Sequence, residues 1–151
     1  MNPLQTTKVL NITPPAAIVD NATLTVSEID TQGWDYCTIF VILGATDIAM
    51  SALKVTESDT SGSGHADVTG LIFGTSTNDA GSTSALPTAT DDNDVFAFEI
   101  DLRYRKRYLD VTATCGNGTN GTYVALIALL SRADSVPTTA ANRGFNQILR
   151  V

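Results

Sequence analysis

Seven consecutive residues, Cys37-Thr38-Ile39-Phe40-Val41-Ile42-Leu43, are almost continuously apolar and rich in β-branched types. A run of this length and make-up belongs in a strand covered on both faces. Thr122 to Leu130 repeats the character. Both runs are expected near the middle of a sheet. Val95 to Leu102 alternates instead: Phe96, Phe98, Ile100 and Leu102 share one face, while Ala97, Glu99 and Asp101 share the other. Leu109, Val111 and Ala113 alternate in the same way with Tyr108, Asp110 and Thr112. Period-two patterning of this kind marks half-buried strands. A turn near Tyr104-Arg105 between the two alternating runs predicts a hairpin.

Shorter strand signals lie at Ala17–Val19, Ala22–Ile29, Ile48–Thr56 and Ala66–Phe73, separated by Gly, Asn, Asp and Ser clusters. The sum is about seven or eight strands with turns at the spacing of an all-β, antiparallel β-sandwich or jelly roll. Residues 1–16 carry Pro3 and Pro14-Pro15 without a sustained period and read as an extended N-terminal arm. The sandwich domain is expected over 17–132 and a C-terminal tail over 133–151. A short helix is expected to begin within Thr138–Asn142. In the tail Phe145, Ile148, Leu149 and Val151 need a surface to cover them. Gly74 to Asn93 is a long polar segment of the kind that is structureless and either functional or mobile.

The formal net charge of −7 argues against a nucleic-acid backbone as the main partner, because phosphates need neutralising cations. The charge is unevenly placed. No Lys or Arg lies between Lys54 and Arg103, an interval with nine acidic residues. Then Arg103, Arg105, Lys106 and Arg107 arrive together, with Tyr104 and Tyr108 among them. Opposite patches of this kind meet either inside one molecule or across a subunit interface. On a strand, Arg103, Arg105 and Arg107 would point the same way. Arg103, Arg105, Lys106, Arg107 and Tyr108, with Phe145, Ile148 and Leu149 of the tail, are the candidate interface residues.

No catalytic, metal or cofactor site is expected. Cys37 and Cys115 sit among apolar neighbours and read as free buried thiols. Ser63, His65 and Asp67 hold the residue types of a triad, but within one Gly/Ser loop that lacks the rigid orientation a triad needs. Asp91-Asp92-Asn93-Asp94 with Glu99 hints at calcium but lacks EF-hand spacing and reads as an acidic turn. No apolar run is long enough to span a bilayer, and the N-terminal residues lack the pattern of a signal peptide.

Three blocks of sequence resemble small virion proteins of tailed bacteriophages. They are Glu28-Ile29-Asp30-Thr31-Gln32-Gly33-Trp34-Asp35-Tyr36, Leu43-Gly44-Ala45-Thr46-Asp47-Ile48-Ala49-Met50, and Ala52-Leu53-Lys54-Val55-Thr56-Glu57-Ser58-Asp59. Ile100-Asp101-Leu102-Arg103, Arg105-Lys106-Arg107-Tyr108-Leu109, Gly121-Thr122-Tyr123-Val124 and Leu130-Ser131-Arg132-Ala133 belong to the same resemblance, which spans roughly residues 28–133. Within that group the resemblance is read as one to head decoration, or cement, proteins. The resemblance implies a β-sandwich or jelly-roll subunit, commonly a homotrimer, on the outside of the capsid. It would bridge major capsid protein subunits, with no nucleic acid or membrane as partner, after synthesis in the bacterial host cytoplasm. A tail, neck or head-fibre component and a host-surface or carbohydrate-binding module are the alternatives.

Overall fold

The structure is a computed structural model and describes residues 3–13, 17–137 and 139–149. Eight strands carry the fold: β1 (Thr7–Thr13), β2 (Ile29–Asp30), β3 (Trp34–Thr46), β4 (Ala52–Ser58), β5 (Ala66–Ile72), β6 (Val95–Asp101), β7 (Tyr108–Thr114) and β8 (Thr122–Ala133). They form two four-stranded antiparallel sheets, sheet A in the order β1-β8-β3-β6 and sheet B in the order β2-β7-β4-β5. The pairs β1/β8, β2/β7, β3/β6 and β4/β5 are nested one inside the next. A long antiparallel ribbon rolled in this way is a jelly roll. The expected all-β sandwich and the strand count both hold.

Side-chain alternation explains why the sheets stack. Cys37, Ile39, Val41 and Leu43 of β3 and Leu126, Ala128 and Leu130 of β8 point inward from sheet A and are buried. Leu53 and Val55 of β4 and Leu109, Val111 and Ala113 of β7 meet them from sheet B. β3 and β8 lie at the centre of sheet A, as the apolar runs predict. Burial pushes the Cys37 thiol up to about 12 and raises that of Cys115, and both are free.

Several expectations are corrected. Val95–Leu102 and Lys106–Thr114 do not form a hairpin, because β6 pairs with β3 in sheet A and β7 pairs with β2 and β4 in sheet B. A 3-10 turn, Leu102–Tyr104, carries the chain from one sheet to the other, with Leu102 buried beneath it. The alternating apolar faces of the two strands therefore meet across the core. Residues 7–13, read as arm, form the edge strand β1, paired from Thr7↔Ser131 to Thr13↔Leu126. Val9, Leu10 and Ile12 supply enough apolar surface for an edge position, where only one side of the strand needs partners. Residues 1, 2 and 14–16 of that arm lie outside the described residues.

The segment expected as a strand over 22–29 is extended but barely paired, because it laces two sheets together. Leu24 N–H donates to Ala113 O at 2.9 Å in sheet B, and Ser27 N–H donates to Ile12 O at 3.2 Å in sheet A. Thr13 Oγ1 also donates to Thr25 O at 2.8 Å. This lacing closes the β1/β2 side of the sandwich. On the opposite side β5 and β6 are the outer strands of their sheets, and among the described residues nothing pairs with their far edges.

Residues 74–93 are not structureless. Thr77 and Thr83 bridge, Ser84 N–H donates to Ser76 O at 2.8 Å, and Pro87 is buried with its carbonyl accepting from Met50 N–H at 2.9 Å. The acidic turn works as local capping: Asp91 accepts from Thr88 N–H at 2.6 Å, and Asp92 accepts from Thr46 N–H at 2.7 Å. The helix expected within Thr138–Asn142 is a single 3-10 turn, Ala141–Arg143, packed against β1. Thr138 itself lies outside the described residues.

Candidate interaction surface

The basic cluster folds back on its own acids. Arg103 lies in the 3-10 turn, and β7 begins only at Tyr108, so the arginines do not share a strand face. Asp101 caps the turn: its Oδ1 accepts from Arg103 N–H at 3.1 Å and from Arg103 Nε at 2.9 Å. Arg107 donates to both Asp30 oxygens, at 2.8 and 2.7 Å, and stands 4.9 Å over the Tyr108 ring. Arg105 lies 3.6 Å from Glu57, and Lys106 lies 3.7 Å from Asp59. Each of the four cations thus has an acidic neighbour within its own chain. These pairs are largely exposed, so each adds little to stability. Which acid pairs with which cation was not readable, since Asp30 and Arg107 are brought together only by the β2/β7 pairing.

Four carboxylates held below their usual range, Glu28, Asp30, Asp47 and Asp101, together predict an acid-sensitive fold. The Arg103 hydrogen bond lowers Asp101 to about 2. Asp30 is lowered chiefly by Arg107, Asp47 by the Asn120 and Thr119 amides, and Glu28 by Ser61 and Gly62. A carboxylate lowered on folding contributes stability that is present above its unfolded value and lost as pH falls through its folded value. The urea midpoint should therefore hold steady above about pH 5 and drop between about pH 4 and pH 2. Asp101→Asn should flatten the lowest part of that drop.

The residues of the apparent triad are dispersed. Asp67 is paired with Lys54 at 2.7 Å, and the Ser63 carbonyl accepts from Ser58 Oγ at 2.6 Å. His65 Nε2 lies 3.1 Å from Glu28 Oε2, and Ser61 Oγ donates to Glu28 Oε1 at 2.6 Å. Glu28 stands between serine and histidine, so the hydroxyl proton points at the carboxylate rather than at an imidazole able to accept it. The cluster latches the 58–65 loop to the strand connection.

A less legible feature is the outer face of sheet A. β3 turns Thr38, Phe40 and Ile42 outward, β8 turns Tyr123, Ala125, Ile127 and Leu129 outward, and β6 adds Val95 and Ala97. Ile42 is 37% exposed, Tyr123 46% and Val95 58%. Phe40, Ile127 and Leu129 are half-buried. The run at 37–43 is thus covered fully on one side only. Its outer side chains shelter one another across the strands, leaving a contiguous apolar surface. Tyr104, 82% exposed at the tip of the 3-10 turn, is a further aromatic absent from the candidate set.

In the tail, Phe145 is half-buried, with the buried Arg143 guanidinium 5.6 Å from its ring centroid and its N–H donating to Ala140 O at 2.9 Å. Ile148 is half-buried, whereas Leu149 is 98% exposed. The structure does not bring the tail residues together with the basic turn. The tail packs against β1, at the far edge of sheet A from β6.

A groove of about 590 Å³ runs along the open side between β5 and β6. Its floor is aromatic: Phe73 meets Phe96 and Phe98 edge to face, with ring centroids 5.6 and 5.1 Å away. Its rim is polar, with Asn78, Asp79, Ser84 and Glu99. A shallower continuation past Gly70 and Glu99 ends at Arg105.

No known family model, curated protein or solved structure matches this chain. Among the described residues no group of three or more His, Cys, Asp and Glu side chains is arranged to hold a metal ion, and no helix is long and apolar enough to cross a membrane.

Proposed function

We propose that this chain is a bacteriophage capsid decoration protein, a non-catalytic subunit that binds the outside of the head and bridges major capsid protein subunits. The observation that carries the reading is the outer face of sheet A. Ile42, Val95 and Tyr123 lie exposed on a continuous apolar surface, and large exposed apolar patches rimmed by polar residues characterise contact sites. The resemblance over residues 28–133 supplies the identity of the partner. The jelly-roll topology agrees with it by analogy, since viral capsid domains and lectins both use this architecture.

The mechanism is physical. A rigid sandwich laid across a seam between shell subunits adds interface area that the seam itself lacks, and several such contacts act together. The aromatic and aliphatic side chains of sheet A would be the anchors.

Purified shells carrying the protein should release their DNA at a higher temperature than shells stripped of it. Ile42→Asp with Tyr123→Asp should lower affinity for stripped shells by about 30-fold or more, with the circular-dichroism spectrum unchanged. Equal heat stability with and without the protein would refute the reading. So would full binding by the doubly substituted chain.

A further inference from the structure

We propose that the groove between the free edges of β5 and β6 receives the tail residues Ile148 and Leu149 of a second copy of this chain, so that copies join head to tail. The proposal does not depend on which particle carries the protein.

The two sides of the sandwich differ. The β1/β2 side is laced shut by residues 22–28, whose N–H groups reach both sheets. The β5/β6 side has no such lacing among the described residues, and two sheet edges face each other across an aromatic floor. Open strand edges present unpaired backbone donors and acceptors and accept an added strand. The groove has a volume of about 590 Å³ and is open along one side. Phe73 and Phe96 offer apolar surface, while Asp79 and Glu99 make the rim acidic.

The chain itself carries a segment of matching chemistry. Ile148-Leu149 is apolar, and Arg150 follows directly. Leu149 is 98% exposed, so its own molecule leaves it uncovered. Burying a leucine side chain is favourable, so a surface that covers it is favoured. Gly144 lies against the Val9 carbonyl of β1, which anchors the segment at one edge of sheet A. The groove lies at the other edge, three strand spacings or about 14 Å across the sheet. Donor and acceptor therefore sit on opposite sides of one subunit. That geometry makes a heterologous contact, which closes into a ring when the rotation between copies allows it.

Sedimentation velocity on the full chain tests this with two variants. Ile148→Asp with Leu149→Asp spoils the segment, and Thr77→Trp places an indole in the groove from an exposed position. The unmodified chain should sediment as an oligomer, and each variant alone as a monomer with an unchanged circular-dichroism spectrum. An equimolar mixture of the two variants should give a dimer and nothing larger, because one intact segment meets one open groove. A monomeric unmodified chain, an oligomer that survives either variant, or a mixture that stays monomeric would overturn the proposal. None of these results bears on whether the chain binds shells, which the heat-release assay reads separately.

Discussion

Ile39→Ala should lower the free energy of unfolding by about 3 kcal/mol, whereas Ile42→Ala, three residues along the same strand, should cost less than about 1 kcal/mol. Both residues are β-branched, apolar and central to β3. Ile39 is fully buried between the sheets, and Ile42 is 37% exposed on the outer face. Removing three carbons at Ile39 leaves a cavity that the close-packed interior fills only in part, so the lost transfer energy is joined by lost contacts. At Ile42 water replaces most of what is removed. Urea unfolding of the two variants reads the difference directly. Equal losses would mean that β3 is covered on both faces and that the outer surface of sheet A is not free.

Gly144→Ala should release the tail from β1. Gly144 has φ +79, and a Cβ there would fall 1.7 Å from the Val9 carbonyl oxygen, a backbone atom with no room to rotate away. The substitution combines the left-handed backbone penalty of about 1–2 kcal/mol with a collision that only displacement relieves. The expected result is rapid proteolytic cleavage after Arg143, together with faster amide exchange along β1. Gly62→Ala is the control: its φ is +71, but nothing lies within 4 Å of the added carbon. It should show the backbone penalty alone, with no change in cleavage at Arg143.

The sequence was informative where one residue's environment depends on its near neighbours. Alternation in Phe96–Leu102 and Leu109–Ala113 correctly identified the inner faces, because a strand's two sides are set locally. It could not reveal that these strands belong to different sheets. A period-two pattern is the same whether the next strand lies beside it or across the core, and the 3-10 turn at Leu102–Tyr104 is what decides. The apolar run at 37–43 marks a central strand but overstates its covering, since Phe40 and Ile42 are apolar on a face that no second layer covers among the described residues. β1 was missed because Lys8 and Asn11 blur its alternation and Pro14-Pro15 follows. The Leu24 and Val26 alternation suggests a strand over Ala22–Ile29, although residues 22–28 divide their contacts between the two sheets, meeting β7 at Leu24 and β1 at Ser27. At the candidate interface the charge pattern foretold that the basic cluster would meet acids, yet Ile42, Val95 and Tyr123 come from three strands, and only the β8–β3–β6 pairing assembles them.

The nested strand order also governs when this chain can fold. Among the described residues only the β4–β5 ribbon joins neighbours in sequence; the centre of sheet A requires Cys37 to meet Leu130, and its edge requires Thr7 to meet Ser131. A ribosome adds about 5–20 residues each second, so the first half of the protein waits several seconds for the strand that completes it. Ile39, Phe40 and Val41 stand without their β8 partner during that interval, in a segment able to pair with other nascent chains. Folding is therefore a post-synthesis event dominated by distant contacts, in the slow class of millisecond-to-second folders. Yield on overexpression should depend on temperature and on chaperones that shield residues 37–43.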